Sequence, residues 1–202
     1  MKFKKYILTI TTLLFTILNS YSLPVTTKYC RDILAYGNPS LDAESDISKP
    51  NLYICRKGYV SGYSYLTKQP IWVAYALTSK QIAIKTERKD KFVPDPSVPK
   101  EHSASLNDYK KSGYDRGHLA PYASMDFSKV SANESFYLSN ISPQKPSLNR
   151  RGWAKLESNV RFWNAYYNGI YVITGPIYKK KRGMAQKPPI LVYTCVSNPT
   201  YY

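Results

Sequence analysis

Ile71-Trp72-Val73-Ala74-Tyr75-Ala76-Leu77 runs apolar without a break. That is the length of a strand, and a strand with no polar face belongs inside a sheet rather than at its surface. The flanking segments support this reading. Tyr53 to Tyr65, with Cys55 and several tyrosines and glycines, reads as a short strand and turn, and Ser79 to Ala104, charged and broken by Pro94 and Pro96, as a surface loop. Leu23 to Leu52 is rich in Asp, Ser, Asn and Pro and predicts an irregular arm. Farther on, Ser147 is placed to cap a helix running to about Asn164, with Trp153, Leu156, Val160 and Trp163 as an apolar stripe facing the core. Gly169 to Tyr178 and Ile190 to Val196 predict two more strands.

At 202 residues the chain has room for one domain and a leader. Lys2, Lys4 and Lys5 precede an uncharged apolar run from Tyr6 to Leu18, and Ser20-Tyr21-Ser22 follows with small residues. The apolar run is too short to span a bilayer, so residues 1–22 read as a cleaved signal peptide, which predicts a secreted or periplasmic protein with no stable membrane association. Cys30 with Cys55 is the expected disulfide, closing a long polar segment, and Cys195 is left as an odd thiol. No Cys-x-x-Cys or Cys/His cluster occurs, which argues against structural zinc. The net charge of +16 favours a polyanionic partner.

Tyr114-Asp115-Arg116-Gly117-His118-Leu119-Ala120-Pro121 holds one of two histidines, with an arginine two residues before it. On an extended chain the two side chains share a face. A histidine accepts a proton near neutral pH, and an arginine fork matches phosphate oxygens, so the pair suggests phosphodiester hydrolysis. His102 has no comparable surroundings in sequence.

Asp-Arg-Gly-His is followed by Asn140-Ile141-Ser142-Pro143-Gln144, then Leu148-Asn149-Arg150, then Trp153-Ala154-Lys155-Leu156-Glu157. In this order the run resembles the DNA/RNA non-specific endonuclease family, from about Leu66 to Tyr193. The resemblance implies an α+β fold: a mainly antiparallel central sheet, packed helices and a strand-strand-helix (ββα-metal, His-Me finger) site around one divalent metal. It implies a metal-dependent endonuclease with DNA and RNA as substrates and 5′-phosphate products.

Roles follow residue by residue. His118 is the expected general base, and Asn149 the metal ligand for Mg²⁺, or Mn²⁺ in its place; such a cation takes one or two protein oxygens and keeps its waters. Glu157, about 12 Å along an ideal helix from Asn149, is expected to hold a metal-bound water or to orient its neighbours. Arg116 is expected at the scissile phosphate or on the leaving side, and Arg88, a loop arginine after the Val-Ala-Tyr strand, in a phosphate-binding role. Asn140 is expected to orient His118 or to build the floor of the site, and Asp115 to be structural, pairing with an arginine or capping a turn. The family contains monomers and dimers.

Relatives in this family continue past a segment like Asn198–Tyr202 into an apolar strand and a helical tail. The domain, residues 23–202, is therefore expected to lack those elements. The alternative function is a truncated, inactive remnant that binds nucleic acid through its basic surface. A third reading, a secreted glycan binder, leaves the motif unexplained.

Overall fold

A computed structural model describes residues 28–34, 39, 49–177 and 191–197. The signal-peptide reading and the C-terminal expectation fall outside them. The uninterrupted apolar run lies in β3 (Gln69–Leu77), at the centre of a five-stranded sheet. Its order is β1 (Leu52–Cys55), β2 (Val60–Ser64), β3, β6 (Ile170–Ile177) and β7 (Leu191–Ser197), and every pairing is antiparallel. Tyr53 to Tyr65 thus forms two strands and their connection, where the sequence had suggested one.

Alternation along β3 sends side chains to opposite faces of the sheet. Val73, Tyr75 and Leu77 pack with Leu119, Met125, Val160 and Val172 on one face. Trp72 and Ala74 pack with Cys30, Ile33 and Tyr171 on the other. Both faces are covered, which is why β3 has no polar side. Gly175 makes the β3–β6 pairing possible, since a Cβ there would strike the Ile71 carbonyl oxygen and crowd the Trp72 backbone.

The second face is covered by α1 (Lys28–Ile33), a helix in a stretch the sequence predicted to be irregular. Six residues cannot hold a helix alone. The disulfide Cys30–Cys55, Cα atoms 6.0 Å apart, fastens it to the end of β1. Another helix the sequence reading missed, α2 (Ser79–Ala83), opens the predicted loop. Thr78 and Gln81 cap it reciprocally: the Thr78 hydroxyl accepts the Gln81 N–H, and the Gln81 side chain accepts the Thr78 N–H.

Short helices α3 (Leu106–Tyr109), α4 (Tyr122–Met125) and α5 (Lys129–Glu134) surround a separate two-stranded ribbon, β4 (Asp115–His118) with β5 (Ile141–Gln144). After β5 the chain makes a π-helical segment, Leu148–Trp153, and continues as α6 (Ala154–Tyr167). Ser147 has helical dihedrals and makes no side-chain cap, so the helix start differs from the expected one. The stripe itself packs inward: Trp153 and Val160 are buried, and Leu156 and Trp163 lie against the main core. Strand, strand and helix thus lie over one face of the sheet, against its inner strands β3 and β6.

Candidate active site

β4 and β5 pair Asp115 with Gln144, Arg116 with Pro143, Gly117 with Ser142 and His118 with Ile141. Gly117 is required there because a Cβ would run into the buried Gln144 side chain. The Trp153 indole N–H donates to the His118 carbonyl at 3.0 Å, tying the helix to the strand. Asn140 secures the residues that follow. Its amide nitrogen donates to the carbonyls of Ala120 (2.9 Å) and Ser135 (2.8 Å), and its Oδ1 accepts the Ala120 N–H at 2.8 Å. Fully buried, Asn140 holds the chain just after His118 through its backbone hydrogen bonds.

The His118 imidazole stands between two phenylalanines. Its ring centre is 5.4 Å from that of Phe92 and 5.1 Å from that of Phe136, edge to face with the latter. Phe92 and Phe136 meet edge to face at 5.0 Å. His118 Nε2 is buried and has no hydrogen-bond partner among the described residues. Burial foremost, then the Arg88 charge, pushes the imidazole from its ordinary 6.5 down to about 3; Asp90 pulls the other way, and Arg116 adds a smaller push down. The ring is therefore neutral at physiological pH, with a free nitrogen. Neither phenylalanine was singled out from the sequence, because no local spacing links them.

A cavity of about 670 Å³ opens over this ring, lined by Arg88, Arg116, His118, Asp115, Asn149 and Glu157 among others. Five of the six predicted site residues thus meet in one place, and Asn140 lies behind it. Arg116 extends over the Phe92 ring at 4.3 Å, and Arg88 over the Tyr122 ring at 5.0 Å. Arg88 also pairs with Asp90 at 2.7 Å, but both are more than half exposed, so that bond yields readily to a ligand.

Asn149 sits in the π-helical segment, so the α-helical rise assumed for its separation from Glu157 does not apply across Leu148–Trp153. Its amide nitrogen donates to Asp115 Oδ2 at 3.1 Å, which turns its Oδ1 away from that carboxylate. Arg150 grips both Asp115 oxygens at 2.8 Å. The Arg150 and Asn149 hydrogen bonds hold the Asp115 carboxyl below the usual range. Asp115 is thus an arginine partner that also orients Asn149.

Glu157 is on α6, facing the cavity. Burial pushes its carboxyl from 4.5 up to about 7, against the pull of Arg161 and the Trp153 indole. Arg161, one helical turn on, is half-buried with Nη1 enclosed and unbonded among the described residues. The sequence reading passed over it. Its signal was the i, i+4 spacing from Glu157, which puts both on one helix face. Among the described residues no cluster of three His, Cys, Asp or Glu side chains could cage a metal. Asn149 brings an amide oxygen and Glu157 and Asp115 carboxylate oxygens to the same cavity, donors of the kind that hard divalent cations take.

A family model described as DNA/RNA non-specific endonuclease matches residues 38–199. The chain belongs to that family. Among curated relatives of this endonuclease-family chain, Nuclease 1, mitochondrial, of Schizosaccharomyces pombe is 36% identical over 70% of this chain and 45% of its own. Human Endonuclease G, mitochondrial, is 38% identical over 61% of this chain and 42% of its own. Danio rerio Nuclease EXOG, mitochondrial, is 39% identical over 74% and 41%. The chain spans less than half the length of these relatives. A crystal structure of an EndoG/EndoGI complex superposes with a TM-score of 0.69 at 28% identity, over 85% of this chain and 74% of that one.

The α+β, ββα-metal architecture expected from the motif is the one found. The expectation of a secreted or periplasmic location is overturned, since the matched relatives from fission yeast, budding yeast, human and zebrafish are mitochondrial nucleases. A basic, apolar N-terminus did not separate one compartment from another. Among the described residues no helix is long and apolar enough to cross a membrane.

Proposed function

We propose that this protein is a divalent-cation-dependent endonuclease cleaving DNA and RNA without sequence preference, with His118 as general base. The carrying observation is the neutral imidazole with a free Nε2, enclosed by Phe92 and Phe136 and opening on a cavity rimmed by arginines. His118 removes a proton from water as its oxygen attacks phosphorus and the 3′ oxygen departs, leaving a 5′-phosphate end. Arg88 and Arg116 bind the non-bridging oxygens, and Arg161 adds a third positive charge beside Glu157.

Their role is double. Burial sets most of the low basicity of His118, and unbound Arg88 and Arg116 add to it; a phosphate that neutralises them removes the arginines' share, so the base strengthens in part when substrate is in place. Asn149 Oδ1, fixed by the Asn149–Asp115 hydrogen bond, would hold the cation, Mg²⁺ or Mn²⁺. The cation supplies charge neutralisation at the phosphoryl oxygens and the leaving group. Glu157 orients water and Arg161 from the helix. The relatives' names point to a mitochondrial setting.

The test is incubation with supercoiled plasmid and with RNA, in Mg²⁺ and in EDTA, beside His118→Ala. Both substrates are expected to be cut by the parent in Mg²⁺ alone, while His118→Ala retains DNA binding. Cleavage by His118→Ala at an undiminished rate would remove the general-base role.

A further inference from the structure

Away from the cavity, the best-bonded buried charge among the described residues has no part in the chemistry above. Asp95 is 2% exposed. Its carboxylate accepts from Arg56 through both Nε and Nη2, from the Ser97 N–H at 2.8 Å, and from the Ser139 hydroxyl. Arg56 donates further to the Ser97 hydroxyl at 2.8 Å and lies over the Tyr137 ring at 4.9 Å. Taking both ions out of water offsets much of their attraction, so such a pair is weak as a source of stability. What it supplies is a fixed position.

The position it fixes is that of the His118 cage. The segment bearing Phe92 runs beside the one bearing Phe136: the Val93 N–H donates to the Phe136 carbonyl at 3.3 Å, and the Leu138 N–H to the Val93 carbonyl at 2.9 Å. Asp95 and Ser139 follow on the same two segments, three residues beyond each phenylalanine. Their hydrogen bond closes the pair of segments just past the rings. The next residue, Asn140, is the one that clamps Ala120, and its carbonyl accepts the Leu119 N–H at 3.0 Å. Ser139 is held from a third side, its carbonyl accepting the Ser61 hydroxyl at 3.0 Å.

We infer that Arg56, Asp95 and Ser139 form a clasp that sets the spacing of Phe92 and Phe136 around His118, and are positioning residues for the proposed hydrolysis. This rests on the nuclease reading of the cavity. The charged groups acting on the ring itself are Arg88, Asp90 and Arg116, and none belongs to the clasp.

Ser139→Ala cuts the tie between the segments and leaves Asp95 its arginine; Ser97→Ala removes an Arg56 contact and leaves the tie. Two measurements separate the possibilities: plasmid cleavage in Mg²⁺, and the NMR titration of His118 in the metal-free full chain. With Ser139→Ala, kcat is expected to fall on the order of tenfold with KM nearly unchanged, because the base is misplaced and the substrate is not. The His118 midpoint is expected to rise toward 6.5 as water enters the cage. Ser97→Ala is expected to match the parent, and Ser139→Thr to restore both readouts. A folded Ser139→Ala protein with parental kcat and titration overturns the clasp, as do equal losses in both alanine variants. If Ser139→Ala does not fold, Asp95→Asn carries the same readouts; if neither folds, the clasp is a folding element and the inference fails. A parent that cuts nothing refutes the nuclease reading alone, since the titration still decides the clasp.

Discussion

At the scale of single residues, His118 and Glu157 are displaced from their ordinary protonation behaviour in directions that oppose each other in stability. Between 6.5 and about 3 the unfolded chain binds a proton that the buried His118 refuses, so stability falls as pH drops through that window. Between 4.5 and about 7 the folded protein keeps a proton on Glu157 that the unfolded chain has released, so stability falls as pH rises. Glu157→Gln is therefore expected to stabilise the metal-free protein at pH 8 by about 1–2 kcal/mol, less than a full conversion because the carboxyl keeps some solvent. At pH 4.5 it is expected to change little. Urea unfolding in EDTA at the two pH values checks this, and an equal effect at both would show that Glu157 ionises freely. Asp115→Asn weakens the Arg150 fork and the Asn149 hydrogen bond together, and is expected to raise the Mg²⁺ concentration for half-maximal cleavage several-fold with Arg88 and Arg116 untouched.

Among elements, α1 and α2 went unread in the sequence because both are too short to show a helical period. α1 exists because Cys30 anchors it to β1 and Ile33 enters the core under Trp72. Removing the disulfide in Cys30→Ser/Cys55→Ser is expected to cost about 3 kcal/mol of global stability, the loop-closure entropy of a crosslink of this span. Coincident urea curves for the double variant and the parent would assign the stability to packing alone. α2 had a legible signal in Thr78-Ser79-Lys80-Gln81, a capping box outweighed by the prolines that follow. The π-helical turn that carries Asn149 had none. It is set by the Asp115 contacts with Asn149 and Arg150, and by Trp153 reaching the His118 carbonyl, all across β4.

For the whole molecule, a net charge of +16 favours phosphate contacts as the main source of affinity in the nucleic-acid binding proposed above. Affinity of His118→Ala for a DNA duplex is expected to fall linearly in log–log form with salt, and to vary little with sequence, in fluorescence anisotropy. Replacing Arg88 and Arg116 by Ala should lower that slope by about two. A slope unaffected by the pair would place the contacts elsewhere on the surface.

The resemblance carried by the order of the motifs named Arg88, Arg116, His118, Asn149 and Glu157, and it was legible because the ribbon and helix that carry most of them are consecutive in the chain. The same locality made β3 and the α6 stripe readable, since burial on both faces or on one writes itself directly into residue pattern. What no local pattern records is contact between distant segments. Phe92 and Phe136 around the imidazole, Asp95 joining Arg56 to Ser139, and Asn140 bonded to backbone rather than to His118 were decided by the tertiary structure. So was the neutrality of His118, because a histidine's charge depends on the water and arginines that packing removes from it or brings to it.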